Sequence, residues 1–174
     1  MTESAAPPPD STRKLEAARR KLVRQVTNPW LMRLYMLAKL PLGLFAGLRV
    51  RHLDPERCET SVPYGWRSKN PFRSTYFAAQ SMAAEMSTGA LAMLALAGRP
   101  PVAMLIVGLD AEFGKKATSL ATFTCADGAA LFAAVEETLA SGEPAVATVE
   151  TVGRMPDGTV VSRFHFTWSF KRRR

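Results

Sequence analysis

The chain is poor in the residues that hold metals or cross-link small proteins. It has two cysteines, Cys58 and Cys125, and two histidines, His52 and His165. The cysteines lie far apart without Cys-x-x-Cys spacing, which argues against a zinc knuckle, a redox pair and a disulfide scaffold. Two histidines are too few for a multi-histidine metal site, so neither metal nor cofactor is expected. Acidic residues are also scarce, 15 against 23 basic ones, for a net charge of +8. The excess sits at the ends. Residues 1–57 carry 11 basic and 5 acidic side chains, and residues 171–174 read Lys-Arg-Arg-Arg, whereas residues 58–170 carry 8 basic and 10 acidic. Basic ends can attract nucleic acid or anionic lipid. No recognition motif accompanies the charge, so nucleic acid is not an expected partner.

A long uninterrupted hydrophobic run is missing as well. The closest approach, PWLMRLYMLAKLPLGLFAGL at residues 29–48, matches the length of about 20 residues that a membrane span needs. Arg33 and Lys39 interrupt it, each costing ~2.5–3.5 kcal/mol to insert, and Pro41 would kink it. It reads as an amphipathic helix packed on the domain or lying on a membrane surface. With no secretory pattern at the start, the expected location is the cytoplasm, with contact at the membrane periphery.

A length of 174 residues, with 47% hydrophobic and 22% charged, fits one globular domain. Residues 1–12 are Pro-rich and polar and read as a disordered tail. Residues 13–40 form a basic, amphipathic helical extension, 41–170 the domain, and 171–174 a basic tail. Within 13–27, Leu15, Ala18, Leu22 and Val26 recur at helical spacing. Asn28-Pro29 ends that helix and starts a second, Asn as cap and Pro at the first position.

Residues 47–54 and 57–65 alternate like strands, with Pro63 indicating an edge or bulge. Residues 74–97 are rich in Ala, Met and Leu and contain no Pro, so they read as a long buried helix. Strands follow at 102–113, read as central because both faces start apolar, and at 117–125. A short helix is expected at 129–140. Strands at 144–153 and 159–170 pair around the turn Pro156-Asp157-Gly158. The order implies an α+β fold, an antiparallel sheet wrapped around a long central helix.

Glu85 is the only charged residue between Arg73 and Arg99. At about 100° per residue, Ser74, Ala78, Ser81, Glu85 and Thr88 share one side of the helix, a polar stripe on an apolar rod. A carboxylate there either reaches the surface as a structural group or serves as a general base in a dry groove. Before the helix lies Ser68-Lys69-Asn70-Pro71-Phe72-Arg73-Ser74-Thr75-Tyr76. Pro71 biases Asn70 away from helical angles, placing its amide in a loop. Asn70 or Ser74 could equally be a plain helix cap. The amides that open a helix lack internal partners and can stabilise an oxyanion.

The stretch NPFRSTYFAAQSMAAEMSTGALAML resembles the signature of hotdog-fold proteins of the acyl-CoA thioesterase superfamily, in a branch of unknown function related to the phenylacetyl-CoA thioesterases. LPLGLFAGLRVRHLDPERCETSVPYGWRSKNPF before it and IVGLDAEFGKKATSLATFTC after it resemble the family too. The resemblance covers about residues 41–170 and implies a hotdog fold, dimeric or a dimer of dimers. It matches Asn70 to the family's loop Asn and Glu85 to its helix acid, which activates water or attacks the thioester carbonyl. It places the oxyanion amides near Ser74, Thr75 and Tyr76. One departure stands out: the family's His-Gly-Gly slot falls at Tyr76-Phe77-Ala78.

The expected activity is hydrolysis of an acyl-CoA or acyl-carrier thioester, with Glu85 and Asn70 catalytic and Ser74, Thr75, Tyr76, Ser81 and Thr88 lining the substrate. The alternative is a non-catalytic acyl- or lipid-binding module docked at membranes by its basic helix. Asp110, Glu112 and His165 read as solvated strand positions. Cys58 and Cys125 read as small core residues.

Overall fold

In the computed structural model, residues 10–173 are described. Most of the stretch expected to be disordered, residues 1–9, and the final Arg174 of the basic tail lie outside them. The first helix, α1 (Asp10–Thr27), opens ahead of the expected start at Arg13, where Asp10 pairs with Lys14 at 2.7 Å. Asn28 then caps α2 (Pro29–Lys39) as its residue type dictates. Its side-chain oxygen accepts from the Trp30 and Leu31 amides at 3.0 and 3.1 Å, and Pro29 supplies the first helical position. Leu40 and Pro41 break that helix, and α3 (Pro41–Ala46) ends at Gly47, whose φ of 80° is left-handed.

One antiparallel sheet follows, with strands β1 (Arg49–Leu53), β2 (Cys58–Val62), β3 (Val102–Phe113), β4 (Ala121–Cys125), β5 (Ala145–Arg154) and β6 (Val160–Arg172). Their spatial order is β1-β2-β4-β5-β6-β3. The central helix α4 (Phe77–Leu96) lies against the concave face, with α5 (Gly128–Ser141) beside it. α4 is apolar all round and must be covered on most sides. Its small residues Ala83, Ala84, Ala92 and Ala95 let the sheet approach closely, and Leu91 and Leu94 fill the space that remains. The aromatic face of β6 meets it: Phe164, Phe166, Trp168 and Phe170 are buried in one row.

Three strand expectations need correction. β3 is an edge strand, paired only with β6, although its sequence reads as central. A bulge between Ile106 and Gly108 turns Leu109 toward the helix side, yet Leu105, Val107, Leu109 and Phe113 all remain at least half exposed. β2 is interior rather than an edge, because it ends at Val62 and Pro63 falls just beyond the ladder. β4 is shorter than expected because the Ala117 carbonyl is turned away to Thr75. Cys58 and Cys125, distant in sequence, are direct cross-strand partners in the β2–β4 ladder, free and fully buried. Burial pushes the Cys58 thiol far up and the Cys125 thiol up to about 11, so both behave as small core residues.

The chain ends pack onto this frame. On α1, Leu15 and Ala18 abut Gly98 at the end of the central helix, and Arg19 lies 4.8 Å from the Phe132 ring of α5. One turn earlier, at the start of α5, the Gly128 amide donates to the Glu56 carbonyl at 3.1 Å, clamping the helix to the β1–β2 turn. A Cβ at Gly128 would sit 1.9 Å from the Pro55 carbonyl oxygen and 2.8 Å from that of Glu56. Both obstacles are backbone, so the turn itself would have to move. Gly128→Ala is expected to cost about 1–3 kcal/mol and lower the Tm in a thermal melt. An unchanged Tm would mean that the clamp yields freely.

Candidate active site on the central helix

The loop before α4 is built on Asn70. Its side-chain oxygen accepts from the Phe72 amide at 3.0 Å, the Ser74 amide at 3.1 Å and the Ser74 hydroxyl at 3.2 Å. The Asn70 amide in turn donates to the Ser74 carbonyl at 2.9 Å. This ring of contacts holds Arg73 at φ 59°, a left-handed angle rare outside glycine. Asn70 therefore organises its own loop and does not cap the helix. Its carboxamide nitrogen donates to no group among the described residues.

The backbone amides of the expected oxyanion residues are already engaged. Ser74 donates to Asn70, Thr75 to the Ala117 carbonyl at 2.7 Å, and Tyr76 to the Ser68 carbonyl at 2.7 Å. The first helical bond runs from the Gln80 amide to the Tyr76 carbonyl. Among the described residues, the donors without partners are thus those of Phe77, Ala78 and Ala79, one step further along the chain. Phe77 and Ala78 fall in the slot where the resembling family has His-Gly-Gly.

Further along α4, each buried polar group but one has found a partner. Gln80 donates to the Thr75 carbonyl at 3.1 Å and accepts from the Ser162 hydroxyl at 2.8 Å. Ser87 meets Thr151 at 2.8 Å, and the Thr88 hydroxyl accepts from the Trp168 indole at 3.1 Å. Ser81 turns back onto the Phe77 carbonyl at 2.9 Å. The expected polar stripe is therefore divided between the loop, the helix backbone and β6. Gln80 and Trp168 belong to the site's frame and were not singled out from the sequence. Each is a buried polar group with a partner 82 or 80 residues away in sequence, Ser162 for Gln80 and Thr88 for Trp168, which local spacing does not reveal.

Glu85 is the exception. It is half-buried, its carboxylate has no hydrogen-bond or ionic partner among the described residues, and burial raises its pKa above the ordinary glutamate value. Gly89, one turn on, leaves room beside it for a methyl group and no more. A Cβ there would lie 3.9 Å from a Glu85 carboxylate oxygen and 3.5 Å from the Trp168 ring. At 1.5 Å per residue, the free amides at Phe77–Ala79 lie about 9–12 Å along the helix from Glu85. No contact joins Asn70 to Glu85 within one chain.

The family described as a domain of unknown function, DUF4442, matches residues 28–170. The chain belongs to the DUF4442 family. Among solved structures it is similar to a protein of unknown function from Pseudomonas aeruginosa described as a probable thioesterase. That match has a TM-score of 0.68 and 18% identity and covers 86% of this chain and 99% of that one. A putative thioesterase from Shewanella oneidensis matches with a TM-score of 0.68 and 11% identity, covering 88% and 99%. A thioesterase from Haemophilus influenzae matches with a TM-score of 0.59 and 12% identity, covering 80% and 88%. No curated protein matches the chain. The α+β architecture of this DUF4442 domain is thus the hotdog fold of thioesterase-family proteins, as the sequence resemblance implied.

The raised pKa of Glu85 has a signed consequence for stability. In the unfolded chain the carboxyl ionises at the ordinary glutamate value, but in the folded protein it ionises later. Stability is full in acid and falls as pH rises from the ordinary value to the raised one, then stays level. Glu85→Gln removes this loss. The variant should melt above the parent at neutral pH and converge with it below the ordinary glutamate range. Equal melting temperatures at every pH would show that the carboxylate is fully solvated.

Proposed function

We propose that the domain hydrolyses the thioester of an acyl-CoA or acyl-carrier substrate, with Glu85 as the catalytic carboxylate. The observation that carries this reading is the half-buried carboxylate on the central helix, without a partner among the described residues and with its basicity raised by burial. As general base, Glu85 removes a proton from water while the water oxygen bonds to the thioester carbonyl carbon. The C–S bond then breaks, and the departing thiolate takes up the proton. Attack by the carboxylate itself, through a mixed anhydride that water then opens, uses the same position. The amides of Phe77, Ala78 and Ala79 are the donors suited to the carbonyl oxygen. Asn70 offers a free carboxamide nitrogen to orient water or substrate.

Since those amides lie about 9–12 Å from Glu85 in one chain, a single carbonyl cannot meet both. We infer that two copies pair edge to edge through β3 and bring one α4 start opposite the other copy's Glu85. The unpaired, apolar edge of β3 supports this. The chain should sediment as a dimer, and Leu109→Glu should shift it to monomer. A wild-type monomer at micromolar concentration would end the shared-site reading.

A second reading, acyl binding without turnover, is favoured by Tyr76-Phe77-Ala78 standing in the His-Gly-Gly slot. Hydrolysis assays over a panel of acyl-CoAs separate the two. Glu85→Gln is expected to retain the fold and lose ~10²–10⁴-fold in turnover. Undiminished turnover in the variant would remove Glu85 from the chemistry. A wild type that binds but never cleaves would support the second reading.

A further inference from the structure

A cavity of about 720 Å³ lies away from α4, between the α1–α2 corner, α3 and the free edge of β1. Arg33, Arg49, Arg51 and Arg67 line it above a base that includes Met32, Met36 and Leu48, and no acidic residue lines it. Arg51 is held in place by a 2.8 Å bond from its Nε to the Ser61 hydroxyl. The Arg67 guanidinium lies beside Gly47 and Pro63. None of the four is ion-paired among the described residues. Four cations gathered without a counter-charge favour an anion, and guanidinium forks match phosphate in particular.

The elements that bound this cavity also carry exposed apolar side chains outside it. α2 buries Met32 and Met36 but turns Trp30, Leu34 and Leu37 outward, and α3 turns out Leu42 and Phe45. Trp30 and Trp66 are 76% and 77% exposed. The Phe45 and Trp66 rings meet edge to face at 6.3 Å, so the patch is continuous across α3 and the loop after β2. Arg33 lies 5.4 Å from the Trp30 ring and joins the patch to the cavity. From Ala17 to Leu53 the sequence contains no Asp or Glu. A second copy presenting this same face would therefore meet only like charge, whereas an anionic bilayer offers both phosphate and hydrocarbon. No helix among the described residues is long and apolar enough to cross a membrane. The face can lie on a bilayer, with its tryptophans at the headgroup level where such rings concentrate.

We propose that this end of the molecule docks on anionic phospholipid, the arginine-lined cavity receiving a lipid phosphate while Trp30, Leu34, Leu37, Leu42, Phe45 and Trp66 enter the acyl boundary. The proposal does not depend on the hydrolytic reading. It is tested on the full chain by co-sedimentation with phosphatidylcholine vesicles, with and without about one-third phosphatidylglycerol. Binding should need the anionic lipid, weaken as salt rises, and shift tryptophan emission to the blue. Arg33→Gln with Arg49→Gln should lower partitioning about fivefold for each charge removed. The control pair Lys115→Gln with Arg154→Gln, exposed on the body, should bind like the parent. Trp30→Ala with Trp66→Ala should abolish the blue shift, since only the buried Trp168 remains, and leave mainly salt-sensitive binding. Three results would overturn the proposal: indifference to phosphatidylglycerol, a control pair as impaired as the cavity pair, or release of the bound protein by free coenzyme A. The last would make the cavity a site for a soluble phosphate compound.

Discussion

Covering α4 is the requirement to which the rest of the molecule answers. A helix of Ala, Leu and Met with scarcely a polar side cannot rest on a surface. It demands a sheet that curves around it, and curvature comes from strand twist and bulges such as those in β1 and β3. Inside that wrap each polar group must find a partner or carry a desolvation cost. Gln80, Ser87 and Thr88 find theirs on β5 and β6, and in doing so they fix the helix in register against the sheet. Glu85 is conspicuous because every neighbour of its kind has been satisfied.

Much of this architecture was legible in the sequence because it is local. The α4 composition, the Asn28-Pro29 cap and the Pro156-Asp157-Gly158 turn each act through neighbouring residues. The turn forms as its residue types require: the Asp157 side chain accepts from the Thr159 amide at 2.9 Å, and Gly158 sits at φ 84°. What local pattern could not show was set by distant partners. α4 starts at Phe77 instead of Ser74 because Ser68, Asn70 and Ala117 take the intervening amides. β3 reads as central because an apolar edge and a doubly covered strand have the same composition. Glu85 could be picked out by its isolation in the sequence. Its lack of a partner could not.

The two ends of the molecule differ in kind. The body around α4 is close to electroneutral, and the buried Gln80, Ser87 and Thr88 of that helix sit in neutral hydrogen bonds. From Ala17 to Leu53, past the acids in the first turns of α1, the chain forms a positive end without Asp or Glu, where arginines gather near methionines and tryptophans. The division falls at β1, whose free edge borders the cavity while its other edge joins the ladder. The DUF4442 match begins at Asn28 and so spans both regions.

The Asn70 loop has a further consequence, in entropy. Loops that receive ligands commonly lose conformational freedom when they bind, about 0.5–1.5 kcal/mol for each side chain immobilised. Here that freedom is already gone. Three donors converge on one carboxamide oxygen, Thr75 is bolted to Ala117, and Arg73 is held in a backbone angle it would not choose alone. A molecule arriving at the start of α4 would meet a backbone already ordered during folding, and only exposed side chains such as Phe72 and Tyr76 would lose freedom as it bound.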